Sequence, residues 1–193
     1  MRRYSIIAAV LLSLALTGTA RSQAVPGSVN FRYSAQISNS PPGSCGCFAL
    51  QGAAADATWG NVGPAGGARF SLAVDAGVEH TGHVGDAPYG LTLTTLTAGP
   101  RMHLPGQRVH IFGQVLLGWA HGADSEFPHN NSLESSANSF ALDLGGGIDL
   151  ASHSRISLRV LQLDYVRTGF PNTSSNWQSN FRLGAGVTLH FPR

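Results

Sequence analysis

The sequence contains no lysine: all twelve of its basic Lys/Arg positions are arginine, set against ten acidic residues. Soluble domains keep their charged side chains, lysine and glutamate among them, on a wet exterior. A chain that is only 11% charged has little from which to build one. A net charge of +2 with no basic run also excludes a nucleic-acid surface. Cysteine is equally scarce. Cys45 and Cys47 are too few for a disulfide-held scaffold, and a bridge across one residue would be strained, so their redox state stays open. Long apolar runs are missing too. After the first residues, none reaches the roughly 18 that a transmembrane helix needs, which excludes a helical membrane protein.

What is present begins with a basic head, Met1-Arg2-Arg3-Tyr4, followed by the apolar run Ile6 to Leu16 and the small-residue site Ser22-Gln23-Ala24. Together these form an export signal, too short for a permanent anchor. Cleavage is expected after Ala24, with Ala20 as the second choice. The expected organisation is a signal peptide over 1–24 and one domain over 25–193.

That domain is rich in glycine and reads as eight strand-like segments. In the last, Phe181, Leu183, Ala185, Val187, Leu189 and Phe191 alternate with Arg182, Gly184, Gly186, Thr188 and His190, a two-residue period. The same alternation runs through 29–37, 70–80, 109–119 and 140–150. The phase of the second segment, 48–59, is open. In the fourth, 91–102, Leu96, Ala98 and Met102 take the apolar side. In the seventh, Arg159 is out of phase with Gln162 and Asp164, and a β-bulge at Val160-Leu161 would return all three to one face. Connections at 103–108 and 151–155 are tight, and the Gly-rich one at 60–68 is somewhat longer. Those at 38–47, 80–90, 121–139 and 168–177 are long and polar. Short turns on one rim, long loops on the other and no helix between predict an all-β, eight-stranded, antiparallel up-and-down barrel.

Alternation alone also fits an exported, soluble, lipocalin-like binding barrel with its apolar face inward. The charges argue otherwise. Arg32, Asp75, Glu79, Asp143, Asp149, Arg159, Asp164 and Arg182 all fall on the polar phase. An arginine facing mid-bilayer lipid costs roughly 2–4 kcal/mol, whereas enclosed arginines can pair with carboxylates. The opposite phase is nearly uncharged, with Phe70, Trp119, Phe140, Trp177 and Phe191 near strand ends as an interfacial girdle. The apolar face is therefore expected to meet lipid. Closure follows, because unpaired backbone groups in hydrocarbon cost several kcal/mol each.

The stretches "FALDLGGGIDL", "RVLQLDYVRTGFPN" and "NFRLGAGVTLHF" resemble the OmpA-like transmembrane barrels, the small outer-membrane β-barrels of diderm bacteria. The resemblance covers the chain from about Val29 onward. It implies outer-membrane localisation, with membrane lipid and the barrel-assembly machinery as partners. It also implies an insertion signal built from Gly186, Leu189 and Phe191, here followed by Pro192-Arg193 where the family usually stops. No peptidoglycan-binding domain is expected to follow, so the tethering role of two-domain relatives is not implied.

Other chemistry is weakly marked. His80 and His83, with Asp86 nearby, could be metal ligands, but a loop supplies no fixed geometry. No nucleophile motif stands out, so no enzymatic activity and no cofactor are expected. Eight strands leave an interior just filled by side chains. Inward glycines such as Gly77, Gly145 and Gly184 nevertheless leave room for a narrow pore as the alternative. The expected role is structural or surface-presenting, as a monomer with both termini on the periplasmic side. The partner of its outer loops is unknown.

Overall fold

The computed structural model describes residues 27–39, 47–64, 67–85, 87–104, 106, 108–129, 132–153, 155–172 and 176–191. The expected export signal, Cys45, Asp86 and Pro192-Arg193 lie outside these residues. Eight strands follow one another: β1 Gly27–Asn39, β2 Cys47–Val62, β3 Arg69–Thr81, β4 Leu91–Leu104, β5 Val109–His129, β6 Ser132–His153, β7 Ile156–Thr168 and β8 Gln178–Phe191. Each pairs antiparallel with the next, and β8 returns to β1 from Gly27↔Phe191 to Ser38↔Asn180, closing the barrel. Closure leaves the barrel wall without an open sheet edge, the condition for strands to cross hydrocarbon.

The alternation sets the two faces. Phe31, Leu72, Leu117, Leu144, Leu163 and Leu183 point outward and are exposed, while Arg32, Asp75, Asp143, Asp164 and Arg182 are buried inside. The outward apolar stretch runs from Val109 to Trp119 in β5, Phe140 to Leu150 in β6 and Phe181 to Phe191 in β8. Each is close to the roughly 9–11 residues that a tilted strand needs to cross a bilayer. Aromatic side chains border this belt: Trp59, Phe70 and Phe191 at the tight-turn rim, and Trp119, Phe140 and Trp177 at the other.

The phase of β2 is now resolved. Leu50, Ala54, Asp56 and Thr58 face inward, and Trp59 faces out. In β4, Leu96 and Met102 face out while Thr95, Thr97 and Arg101 face in. The β7 register shifts between Arg159 and Gln162 against β8, and Val160 and Leu161 both point outward. That bulge brings Arg159, Gln162 and Asp164 to the interior together.

One expectation is corrected. The stretch 121–139 is not a polar loop. β5 and β6 continue past their outer neighbours as a two-stranded ribbon, paired from Ala123↔Ser136 to His129↔Ser132. The cause is tertiary: once two antiparallel strands are in register, each further backbone pair extends the ladder whether or not the side chains alternate. The register shifts between Ala123 and Phe127, where Asp124 has φ 62°, and Phe127 beyond the shift is buried.

Candidate functional site

The interior of the barrel is built in tiers. Nearest the tight turns lies a layer of short polar pairs: Asn30 Nδ2 donates to Thr188 Oγ1 at 2.9 Å, and Ser28 and Thr58 share a 2.7 Å hydrogen bond. Ser71 meets His103 at 2.9 Å, and Ser157 meets His190 at 2.7 Å.

Above this, the Asp56 carboxylate receives three guanidiniums, from Arg101 at 2.5 Å, Arg159 at 2.7 Å and Arg32 at 3.1 Å. Arg159 also holds Asp149 at 2.8 Å. The Phe112 ring lies between two of these cations, with Arg101 and Arg159 over it at 4.6 and 4.3 Å from the centroid. Such stacking favours a weakly hydrated guanidinium over an ammonium.

The next tier inverts the charge ratio. Arg182 lies within 4.0 Å of four carboxylates: Asp143 at 2.5 Å, Asp75 at 3.2 Å, Asp164 at 3.3 Å and Glu79 at 3.8 Å. Arg32 joins the tiers by pairing with Asp75 at 2.5 Å as well as with Asp56. Gln114 supplies the β5 link, accepting from Arg101 Nε at 2.9 Å and donating to Asp164 at 3.2 Å. All eight strands thus contribute to one network.

At the loop end, the charges give way to an apolar stopper of Leu50, Leu93, Ala120, Phe127, Ala141 and Phe170. Phe127 from the ribbon and Phe170 from the β7–β8 connection pack ring to ring at 5.5 Å.

All eight residues expected in the charge network lie inside this assembly: Arg32, Asp75, Glu79, Asp143, Asp149, Arg159, Asp164 and Arg182. Sequence reasoning missed Asp56 and Arg101, the two that organise the lower tier. Parity held the missing information. Met102 was already on the apolar side, which turns Arg101 inward, and an outward Trp59 would have done the same for Asp56. The inward glycines Gly77 and Gly184 face side chains rather than open space. A Cβ at Gly184 would come within 2.8 Å of Arg32 Cδ, and one at Gly77 within 3.1 Å of Arg182 Nη1. The space they free is occupied by the side chains of Arg32, Arg182 and Glu79.

Gly186 faces inward opposite Arg32 and Arg159, while Leu189 and Phe191 face outward on β8. His80 bonds Thr92 at 3.0 Å, and Thr92 donates to Asp124 at 2.8 Å. Neither His80 nor His83 joins a group of three potential metal ligands among the described residues.

No protein-family model and no curated protein sequence matches the chain. Solved structures do. Neisserial surface protein A is similar over 86% of this chain and 97% of its own, at 17% identity and a TM-score of 0.61. Ail, the attachment invasion locus protein of Yersinia pestis, is similar over 86% of this chain and 99% of its own, at 14% identity and a TM-score of 0.56. The outer membrane protein OprG from Pseudomonas aeruginosa covers 88% of this chain and 97% of its own, at 10% identity and a TM-score of 0.50. These likenesses are in fold.

Proposed function

Given a chain with the fold of the small eight-stranded outer-membrane barrels, we propose that it is an integral outer-membrane protein with a structural or surface-presenting role. The tight-turn rim, where β1 begins and β8 ends, faces the periplasm, and the β5–β6 ribbon and longer connections face the exterior. The observation that carries this reading is the inversion of polarity: an uncharged apolar belt outside and a fully enclosed ion-pair network inside. A soluble binding barrel needs the opposite arrangement, with its apolar face lining a ligand cavity.

The reading is also non-conducting and non-enzymatic. Guanidinium–carboxylate pairs span the lumen, and the Phe127–Phe170 stopper lies above them, which weighs against the narrow-pore alternative. Assembly through the C-terminal signal Gly186, Leu189 and Phe191 belongs to the same proposal.

Two measurements on the refolded protein test it. On a cold detergent gel, the folded chain should migrate differently before and after boiling. In planar bilayers it should show no stable open level. Identical bands would count against the barrel in detergent, and a reproducible open level would replace the structural role by conduction.

A further inference from the structure

The arginines that are not inside the barrel are distributed unevenly. Arg69 opens β3, and Arg108 and Arg155 immediately precede β5 and β7, all at the tight-turn rim. The local sequences are Arg69-Phe70-Ser71-Leu72, Arg108-Val109-His110-Ile111 and Arg155-Ile156-Ser157-Leu158. Each is an arginine followed by a residue of the outward apolar belt, then a polar inward one, then a second belt residue. The repeat follows all three connections at this rim.

The backbone holds these positions in place. Ala151 N donates to Arg108 O at 2.9 Å and His190 N donates to Arg155 O at 2.8 Å, tying each turn to the end of a neighbouring strand. Arg69 is in register with His103. Arg108 and Arg155 are exposed and Arg69 is half-buried. The belt residues beside them, Phe70, Val109 and Ile156, are exposed on the outer wall. The three arginines therefore stand at the tight-turn end of the wall, each one residue beyond the outermost belt residue of its strand.

No acidic residue sits opposite them. Within 57–72, 102–111 and 150–158, and from Val187 to Phe191, the sequence contains no Asp or Glu. Among the described residues none of the three arginines makes an ion pair, whereas each interior arginine makes at least one. The acids outside the lumen that the structure describes, Asp124, Glu126 and Glu134, are all on the opposite rim. Arginines without an acidic partner beside an apolar belt are suited to phosphate, which a guanidinium can bind in a two-pronged geometry that ammonium cannot.

We infer that Arg69, Arg108 and Arg155 form a collar that binds the headgroup phosphates of anionic phospholipids in the periplasmic leaflet. The inference rests on the outer-membrane reading above and names a lipid class for one rim of that barrel. Each arginine near an anionic surface favours association by roughly fivefold, so the collar should select anionic over zwitterionic lipid clearly.

The test uses the refolded protein in nanodiscs made from equal parts phosphatidylglycerol and phosphatidylcholine. Lipids that stay bound after disc disruption are identified by native mass spectrometry. The wild type should retain phosphatidylglycerol several-fold over phosphatidylcholine. The triple variant R69Q/R108Q/R155Q should retain the two nearly equally while keeping its heat-modifiable band. R167Q, which removes the arginine stacked on Trp177 at the other rim, should keep most of the enrichment. Entry into the discs without enrichment, or equal loss in R167Q and the triple variant, would overturn the collar alone. Failure of the wild type to enter the discs would overturn the barrel reading with it. Unchanged lipid retention, combined with binding to isolated peptidoglycan that the triple variant loses, would reassign the collar to the cell wall and overturn the lipid assignment.

Discussion

Arg182 and Asp56 carry opposite versions of one problem. Each is a buried charge whose partners outnumber it, with four carboxylates around the first and three guanidiniums around the second. Burying a charge is costly unless it is paired, and removing one partner leaves the rest uncompensated. Arg182→Leu should therefore lower unfolding stability by about 3–5 kcal/mol, read as a shift of the urea midpoint in detergent. Arg182→Lys should recover only part of that, because one ammonium cannot reach four carboxylates along a planar fork. A wild-type midpoint for Arg182→Leu would show the network to be dispensable. Gly184→Val asks the same question from the opposite side. Its side chain would displace the Arg32 aliphatic stem, which lies within 2.8 Å of an added Cβ, and should destabilise without altering any charge.

At the scale of single strands, β7 supports a prediction that runs against intuition. Deleting one residue from a half-buried strand normally sends every following side chain to the wrong face. At the bulge, however, Val160 and Leu161 both point outward, and Asp149↔Arg159 is followed by Ile148↔Leu161 on β6. Removing Val160 therefore restores plain alternation, with Arg159, Gln162 and Asp164 still inside. That deletion should leave a heat-shifted band on the gel. Removing Ala185 from β8 should abolish it, since Val187 and Leu189 would turn into the lumen and Thr188 toward lipid. Equal outcomes for the two deletions would refute the register argument.

Strand phase was legible where large apolar residues alternate with polar ones, as in β1, β3, β6 and β8. It was illegible in β2, where alanine occupies both faces and parity has no marker before Trp59. The ribbon over 121–139 was hidden for another reason. Apart from Phe127 and Leu133 its residues are mostly polar or small, with no two-residue period, and only pairing with the partner strand makes them extended.

As a whole, the molecule fills its lumen at two levels, with ion pairs at mid-height and apolar packing at the ribbon end. The two levels are chemically independent, which yields a third prediction. F127S/F170S removes the ring-to-ring contact of the stopper but leaves the Asp56 and Arg182 tiers in place. This double variant should remain silent in planar bilayers. An open level from it would mean that the stopper alone seals the barrel.

The distribution of charge follows the same whole-molecule plan. Four arginines and six carboxylates are inside, three arginines lie at the tight-turn rim, and the described acids outside the lumen lie at the other end. No single strand shows this. It emerges when the strands are aligned around the closed wall.

Local chain chemistry was enough to determine that the strands exist, how many there are, which rim has the tight turns and which face turns outward. A two-residue period and the cost of an exposed arginine in hydrocarbon are properties of short segments. Only the tertiary structure decided which arginine meets which acid, because Arg159 and Asp56 are 103 positions apart and meet across a lumen that exists only once β8 has paired with β1. Closure is a property of all eight strands at once, and no window along the chain contains it.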